Sequence, residues 1–340
     1  MQHAAIIGID LAKRTFQLHG AAPDGSVVFR KKLSRERLLS FLASQPPALV
    51  AMEACASAHH WGREIAGLGH AVRLVPPIYV KPFVKRQKND AADAEAIAEA
   101  ASRATMRFVE VKTAEQQGQG MLFRTRDLLV RQRTQSINAL RGHLAEFGIV
   151  APQGPTRVDL LARTVADEAT ALPAMARDLA RLLLDQIAEL GERIGALEKE
   201  IRRRAPKDTR IARLMTIPGV GAICATAVQA FAPSMTLFRS GRDFAAWVGL
   251  TPKQHSTGGK ARLGRTSKMG QRDLRRLLII GASAVVTWAA RKGARPGSWL
   301  ARMMARKPHM LVVVALANKM ARMVWAITSR ETTFKDPAVA

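Results

Sequence analysis

Over the first third of the chain, apolar residues come in short, bounded runs. Ala4-Ala5-Ile6-Ile7-Gly8-Ile9 is apolar throughout and stops at Asp10. This predicts a central strand covered on both faces, with Gly8 leaving room for a close approach to the backbone. Strands are also predicted at 15–20 and 26–32, joined by the turn Pro23-Asp24-Gly25, so that the first three form an antiparallel meander. A helical stretch at 35–44 is stopped by Pro46-Pro47, and Ala48-Leu49-Val50-Ala51-Met52 then gives a second apolar strand ending in an acid, Glu53. A helix near 58–67, a strand at 70–75 and a break at Pro76-Pro77 lead to Lys88-Asn89-Asp90-Ala91-Ala92-Asp93, which opens a helix running through Ala101. The alternation indicates an α/β domain over residues 1–112.

From 113 to 209 the period changes. Leu183, Ile187, Leu190, Ile194, Leu197 and Ile201 form a heptad seam, and Leu122, Leu129, Leu140 and Leu144 mark an earlier long helix. Joined through the Pro- and Gly-containing region 148–173, the two predict a helical hairpin or coiled-coil arm, a spacer or oligomerisation element rather than a catalytic unit. Residues 210–340 read as mostly helical. Here Ile217-Pro218-Gly219-Val220-Gly221, followed by an Ala-rich run, predicts a helix-hairpin-helix element in which Gly219 and Gly221 let backbone N–H groups face a phosphate. By itself a Gly-rich turn between helices is a weak signal for that role.

Charge changes the picture. With 53 Lys and Arg against 27 Asp and Glu the chain carries +26, and residues 210–340 supply +18 of it from 22 basic and 4 acidic side chains. A polyanion is the natural partner, nucleic acid first among them. The middle segment is nearly neutral, with 15 basic and 13 acidic residues. The densest basic run holds Lys253, Lys260, Arg262, Arg265, Lys268, Arg272, Arg275 and Arg276 against Asp273 alone, and these are the candidate nucleic-acid contacts. A membrane partner is not expected: Leu277–Ala290 is too short to span, and Met310–Thr328 is interrupted by Lys319 and Arg322. There is no basic-then-apolar leader, and the two cysteines, Cys55 and Cys224, form no CxxC, which points to the cytoplasm and away from structural zinc.

Asp10, Glu53, Asp90 and Asp93 form the candidate catalytic constellation. Asp10 and Glu53 end what read as neighbouring strands, and Asp90 and Asp93, three apart, share one face of a helix's first turn. In an RNase H-like fold such elements converge, and carboxylates so gathered suit one or two Mg²⁺ ions acting on phosphorus. Each acid taken singly also fits a structural role such as capping a turn. Ser256 and Thr257 lie in a Gly-rich cationic loop, where Lys260, Arg262 and Arg265 offset negative charge. Tyr79, the chain's one tyrosine, sits among prolines in the N-terminal part, a poor place for a tyrosine nucleophile. His255 beside Ser256, and His59 and His60 after Glu53, read as incidental.

The stretches GID, KNDAADA, IPGVG, GLTPKQHSTGGKARLGR and SKMGQRDLRRLL, with an acid after a mid-domain strand, recur in this order. Over nearly the whole chain this resembles transposases of the DEDD insertion-sequence family, which have a RuvC-like N-terminal domain and a C-terminal domain with a serine. The resemblance implies DNA recombination directed by a bridge RNA, with Mg²⁺ at Asp10, Glu53, Asp90 and Asp93 and Ser256 as nucleophile. Relatives often have two adjacent serines where this chain has Ser256-Thr257, which keeps Thr257 in view. The expectation is thus an α/β, RNase H-like (RuvC-like) domain at 1–112, a coiled-coil arm at 113–209 and a basic helical transposase domain at 210–340, assembled as a homo-oligomer. A water-using junction resolvase or nuclease, and a non-catalytic nucleic-acid-binding protein, are the alternatives.

Overall fold

The strands of the first part pair as the apolar runs require. The computed structural model describes residues 3–84 and 90–335, apart from the side chains of Asp90 and Pro155. Two compact units result, residues 1–115 and 116–340. In the first, β1 (Ile6–Asp10), β2 (Thr15–Ala21) and β3 (Val27–Ser34) make the antiparallel meander. After α1 (Leu38–Ala43), β4 (Leu49–Glu53) adds parallel to β1; after α2 (Ala58–Gly67), β5 (Ala71–Val75) adds parallel to β4. The order β3-β2-β1-β4-β5 is that of an RNase H-like sheet. A short α3 (Pro77–Val80) and α4 (Asp90–Ser102) complete the unit.

Side-chain alternation along the central strands explains how both faces are covered. Ile7, Ile9, Val50 and Met52 pack with Leu38, Leu42, Trp61 and Ile65 on the α1 and α2 side. Ala51 packs with Ile97, Ala100 and Ala101 on the α4 side, and Gly8 lies directly under α4, whose backbone its Cβ would strike.

The second unit opens with α5 (Ala114–Ala145), followed by α6 (Val158–Ala166) and α7 (Ala174–Arg204). Arg126 Nε donates to Glu198 at 3.0 Å and Ser136 Oγ lies 3.4 Å from Gln186 Oε1, so α5 and α7 run antiparallel. Much of the heptad seam is used inside the chain: Ile187 packs with Ile137, Leu140 and Leu144 of α5 and with Val158, Leu161 and Val165 of α6. The remaining elements are α8 (Thr209–Met215), α9 (Ala222–Phe231), α10 (Gly241–Val248), a two-stranded hairpin β6 (Pro252–Gln254) and β7 (Leu263–Thr266), α11 (Arg272–Lys292), α12 (Trp299–Met304) and α13 (His309–Arg330). Among the described residues, α13 is the one helix long and apolar enough to cross a membrane. Its buried face, with Val312, Val313, Leu316, Met320 and Val324, fills the centre of the unit's core. That core also takes in Phe123 from α5 and Ile201 from α7.

Candidate active site

Strand pairing brings two of the acids to one edge. Ile9 is in register with Met52, so Asp10 and Glu53 follow at the carboxyl ends of adjacent parallel strands. By alternation, Asp10 shares the sheet face of Gly8, and Glu53 that of Ala51, which is the face covered by α4. Asp93 stands at the end of the first turn of that helix, one residue before Ala94, the residue that overlies Gly8. The electrostatics record the crowding: partial burial pushes the Glu53 carboxyl above its ordinary range, and the negative charge of Asp93 pushes it the same way. Cys55, two residues on, has its thiol raised by burial and then by Glu53 and Asp10. Asp10, Glu53 and Asp93 are therefore one electrostatic group. Among the described residues no three such side chains stand close enough to form a ready-made metal cage. The Asp90 side chain, like Lys88 and Asn89 of the same stretch, lies outside the described residues.

Two features of this edge had no reading in the sequence. Cys55 joins the acids because β4 ends at Glu53 and the chain turns at once. Ser57, before α2, has φ +72, a left-handed conformation that is costly for serine and tightens the turn after Glu53. His59 accepts from the Lys112 N–H through Nδ1 at 3.1 Å, a structural bond that ties α2 to the segment after α4.

Ser256 belongs to the second unit, in the loop of the β6–β7 hairpin. A cationic loop was expected here in a mostly helical domain; the segment instead closes as a β-hairpin, because Gly258 and Gly259 adopt φ +55 and +76 and turn the chain back in two residues. Thr257 and Lys260 bridge across that turn. Below it, the His255 N–H donates to the Arg262 carbonyl at 2.8 Å, and the Arg262 N–H donates to Ser256 Oγ at 3.2 Å. Ser256 is exposed, and its own proton is free of that bond. The His255 ring lies against Gly264, where a Cβ would stand 2.9 Å from it. Lys253, Lys260, Arg262 and Arg265 are exposed around the hairpin.

The base of the hairpin is held by backbone contact. Gly249 and Gly270, with φ +83 and +81, approach so closely that a Cβ on either would meet the Met269 or Trp247 carbonyl oxygen at 1.8 Å. The intervening Lys268 has φ +54 and donates its N–H to the Gly249 carbonyl at 3.2 Å. Arg275 donates through Nη1 to the carbonyls of Val248 and Met269, at 2.9 and 3.1 Å, so it serves the scaffold of this turn. Arg276 pairs with Asp127 of α5, and Arg272 is exposed at the start of α11. Gly219, with φ +86, packs against Gly281 of α11, where its Cβ would be 2.8 Å from the carbonyl oxygen. Gly221 caps α9 with no side-chain partner.

Residues 7–149 match the model of an IS110-type DEDD transposase domain, described as "Transposase", and residues 211–295 match "Transposase IS116/IS110/IS902 family". A probable family 20 transposase of Pseudomonas aeruginosa is 50% identical over 97% of this chain and 98% of its own length. The transposase for insertion sequence element IS1328 of Yersinia enterocolitica is 42% identical, over 98% of this chain and 99% of its own. That for IS1111A of Coxiella burnetii is 39% identical, over 98% and 92%. With its RNase H-like sheet and matches of this extent, the chain belongs to the IS110/IS116/IS902 family of insertion-sequence transposases, enzymes that act on DNA.

Proposed function

We propose that this transposase cuts and rejoins DNA through Ser256, with the acids of the N-terminal unit binding Mg²⁺ and an RNA directing the choice of sites. The observation that carries the metal reading is the crowding of Glu53 by Asp93 beside Asp10. Carboxylates that repel one another at a strand edge suit a hard divalent cation, whose charge relieves the repulsion, and DEDD transposase domains depend on divalent metal. Asp10, Glu53, Asp90 and Asp93 are the residues that would hold it. When bound, such an ion supplies positive charge to the oxygens of a phosphodiester under attack.

The rest is done by side chains of the chain itself. Ser256 Oγ gives up its proton and bonds to phosphorus, while the bond from phosphorus to one DNA oxygen breaks and that oxygen leaves with a proton. A DNA hydroxyl then attacks the same phosphorus and returns the serine. Lys260, Arg262 and Arg265 offset the negative charge that grows on the phosphoryl oxygens. The hairpin supports this role for Ser256, since its bond to the Arg262 N–H fixes the oxygen while leaving it exposed. A homo-oligomer fits Met175, Leu179 and Leu182, which repeat at heptad spacing on the exposed face of α7.

The test is recombination of DNA carrying the element's ends, with trapping of a phosphoserine-linked adduct and sequencing of RNA that copurifies. Ser256→Ala should retain DNA binding and lose adduct and product, and Asp10→Asn should lose product. If Thr257→Ala loses the adduct and Ser256→Ala does not, the nucleophile moves by one residue. If both still cleave DNA and no adduct forms with the parent protein, water is the nucleophile.

A further inference from the structure

We propose that an arginine-lined cleft in the second unit, built by α5 and α11 and separate in its residues from the Ser256 hairpin, is a second seat for the phosphodiester backbone of double-stranded DNA. The cleft has a volume of about 250 Å³ and draws Arg124, Arg126 and Arg131 from α5 to meet Arg272 and Arg276 of α11. Two acids, Asp127 and Asp273, also line it. Three of the arginines are committed. Arg126 is paired with Glu198, and Asp127 is shared between Arg276 and Arg131, the latter at 3.7 Å. Among the described residues Arg124 and Arg272 pair with no carboxylate, and both are exposed. The ion pairs hold Arg126, Arg131 and Arg276 in position, and the cleft's surplus of positive charge sits beside them on the exposed Arg124 and Arg272.

Guanidinium groups in such a cluster match the paired oxygens of a phosphodiester, which an isolated surface arginine does less well. The aromatic lining argues for the backbone of a duplex and against unstacked bases. Phe123 and Phe231 are buried, with ring centroids 5.7 Å apart, and present no open face on which a base could stack. Arg272 and Arg276 already stand out in the basic run, but the charge count along the chain hides the α5 side of the site, because α5 lies in a stretch whose basic and acidic residues nearly cancel. Only folding sets its arginines beside the first turn of α11.

The proposal rests on DNA as the substrate and on neither the serine nor the metal chemistry. Full-length protein is titrated with duplex DNA over a series of salt concentrations, comparing the parent, the Arg124→Gln/Arg272→Gln variant and the Arg124→Lys/Arg272→Lys variant. The glutamine variant should bind more weakly, with a log–log salt slope shallower by about two. The lysine variant should keep the parent's slope. In the unaltered protein, bound duplex should protect Arg124 and Arg272 from modification by phenylglyoxal, a readout that needs no variant to fold. Ser256→Ala should show the same slope and protection as the parent, so failure of the serine reading leaves this one standing. Unchanged affinity and slope in the glutamine variant, equal labelling with and without duplex, or protection by structured RNA but not by duplex DNA would each overturn it.

Discussion

Gly8 lies so close to Ala94 that a Cβ built on it would stand 2.2 Å from the Ala94 carbonyl oxygen. The same atom would be 2.8 Å from the Ala98 nitrogen. The gap left by one missing side chain is thus filled by the backbone of α4. That contact sets how near the Asp93 turn comes to Asp10 and Glu53.

Gly8→Ala should therefore disturb the acids without touching any of them. The added methyl meets rigid backbone, so α4 must lift from β1 at a cost of about 1–3 kcal/mol. A lower melting temperature together with reduced DNA processing is expected. Full activity at a parent-like melting temperature would mean that the spacing of α4 from the sheet does not matter.

How far this was legible in the sequence depends on range. Two apolar runs ending in acids pointed to neighbouring strands, and their parallel pairing in register, which sets Asp10 and Glu53 at the same edge, comes from the fold. Gly8 announced a close approach and gave no clue to what approaches, since α4 lies more than eighty residues away. The Ser256 hairpin went unseen because its strands are only three and four residues long. Arg275 looked like one more cation in a basic run; its carbonyl partners at 248 and 269 are set by the Gly249–Gly270 contact, which no local pattern encodes. The heptad seam was visible, but a seam does not say whether its partner is another copy or, as for Ile187, the chain's own α5 and α6.

Replacing Glu53 separates the charge of the acidic group from its shape. Glu53→Gln removes one carboxylate from a group of acids that repel one another, so in metal-free buffer the variant should melt higher than the parent. Adding Mg²⁺ should raise the parent's melting temperature with ion concentration, as binding to the folded state alone requires. The variant should respond less and should not process DNA. An equal Mg²⁺ response in parent and variant would remove Glu53 from the ion's ligands.

Asp208 gives the second unit an acid-sensitive joint. It caps α8, accepting from the N–H groups of Arg210 and Ile211 at 2.8 and 3.2 Å, and also accepts from Gln229 Nε2 at 2.9 Å. Burial raises its pKa, but the Gln229 and backbone bonds outweigh it, and the carboxyl sits below its ordinary value. A depressed carboxylate stabilises the fold above its unfolded pKa of about 3.9, and that contribution is lost as pH falls through the folded value. Asp208→Ala should cost about 1–2 kcal/mol at neutral pH and flatten the loss of stability on acidification. Melting curves of parent and variant from neutral pH downward read both effects; parallel curves would show that Asp208 is not the titrating group.

The last prediction concerns where the basic half can be cut free. Charge and period along the chain suggest a boundary near 210, yet the core that holds α9, α11 and α13 together also contains Phe123, Ile201 and Ala205. Phe123 is 7% exposed and packs on Phe231, so a fragment that starts at 210 loses one wall of its core and bares the ring of Phe231. A fragment of residues 116–340 should unfold in one cooperative transition, while 210–340 should be less stable and prone to aggregate through that uncovered face. In the full chain, Phe123→Ala should cost about 3–5 kcal/mol, a loss of core rather than of surface. Calorimetry of the two fragments decides it: if 210–340 melts at the same temperature as 116–340, the α5 and α7 residues are passengers on the core and not part of it.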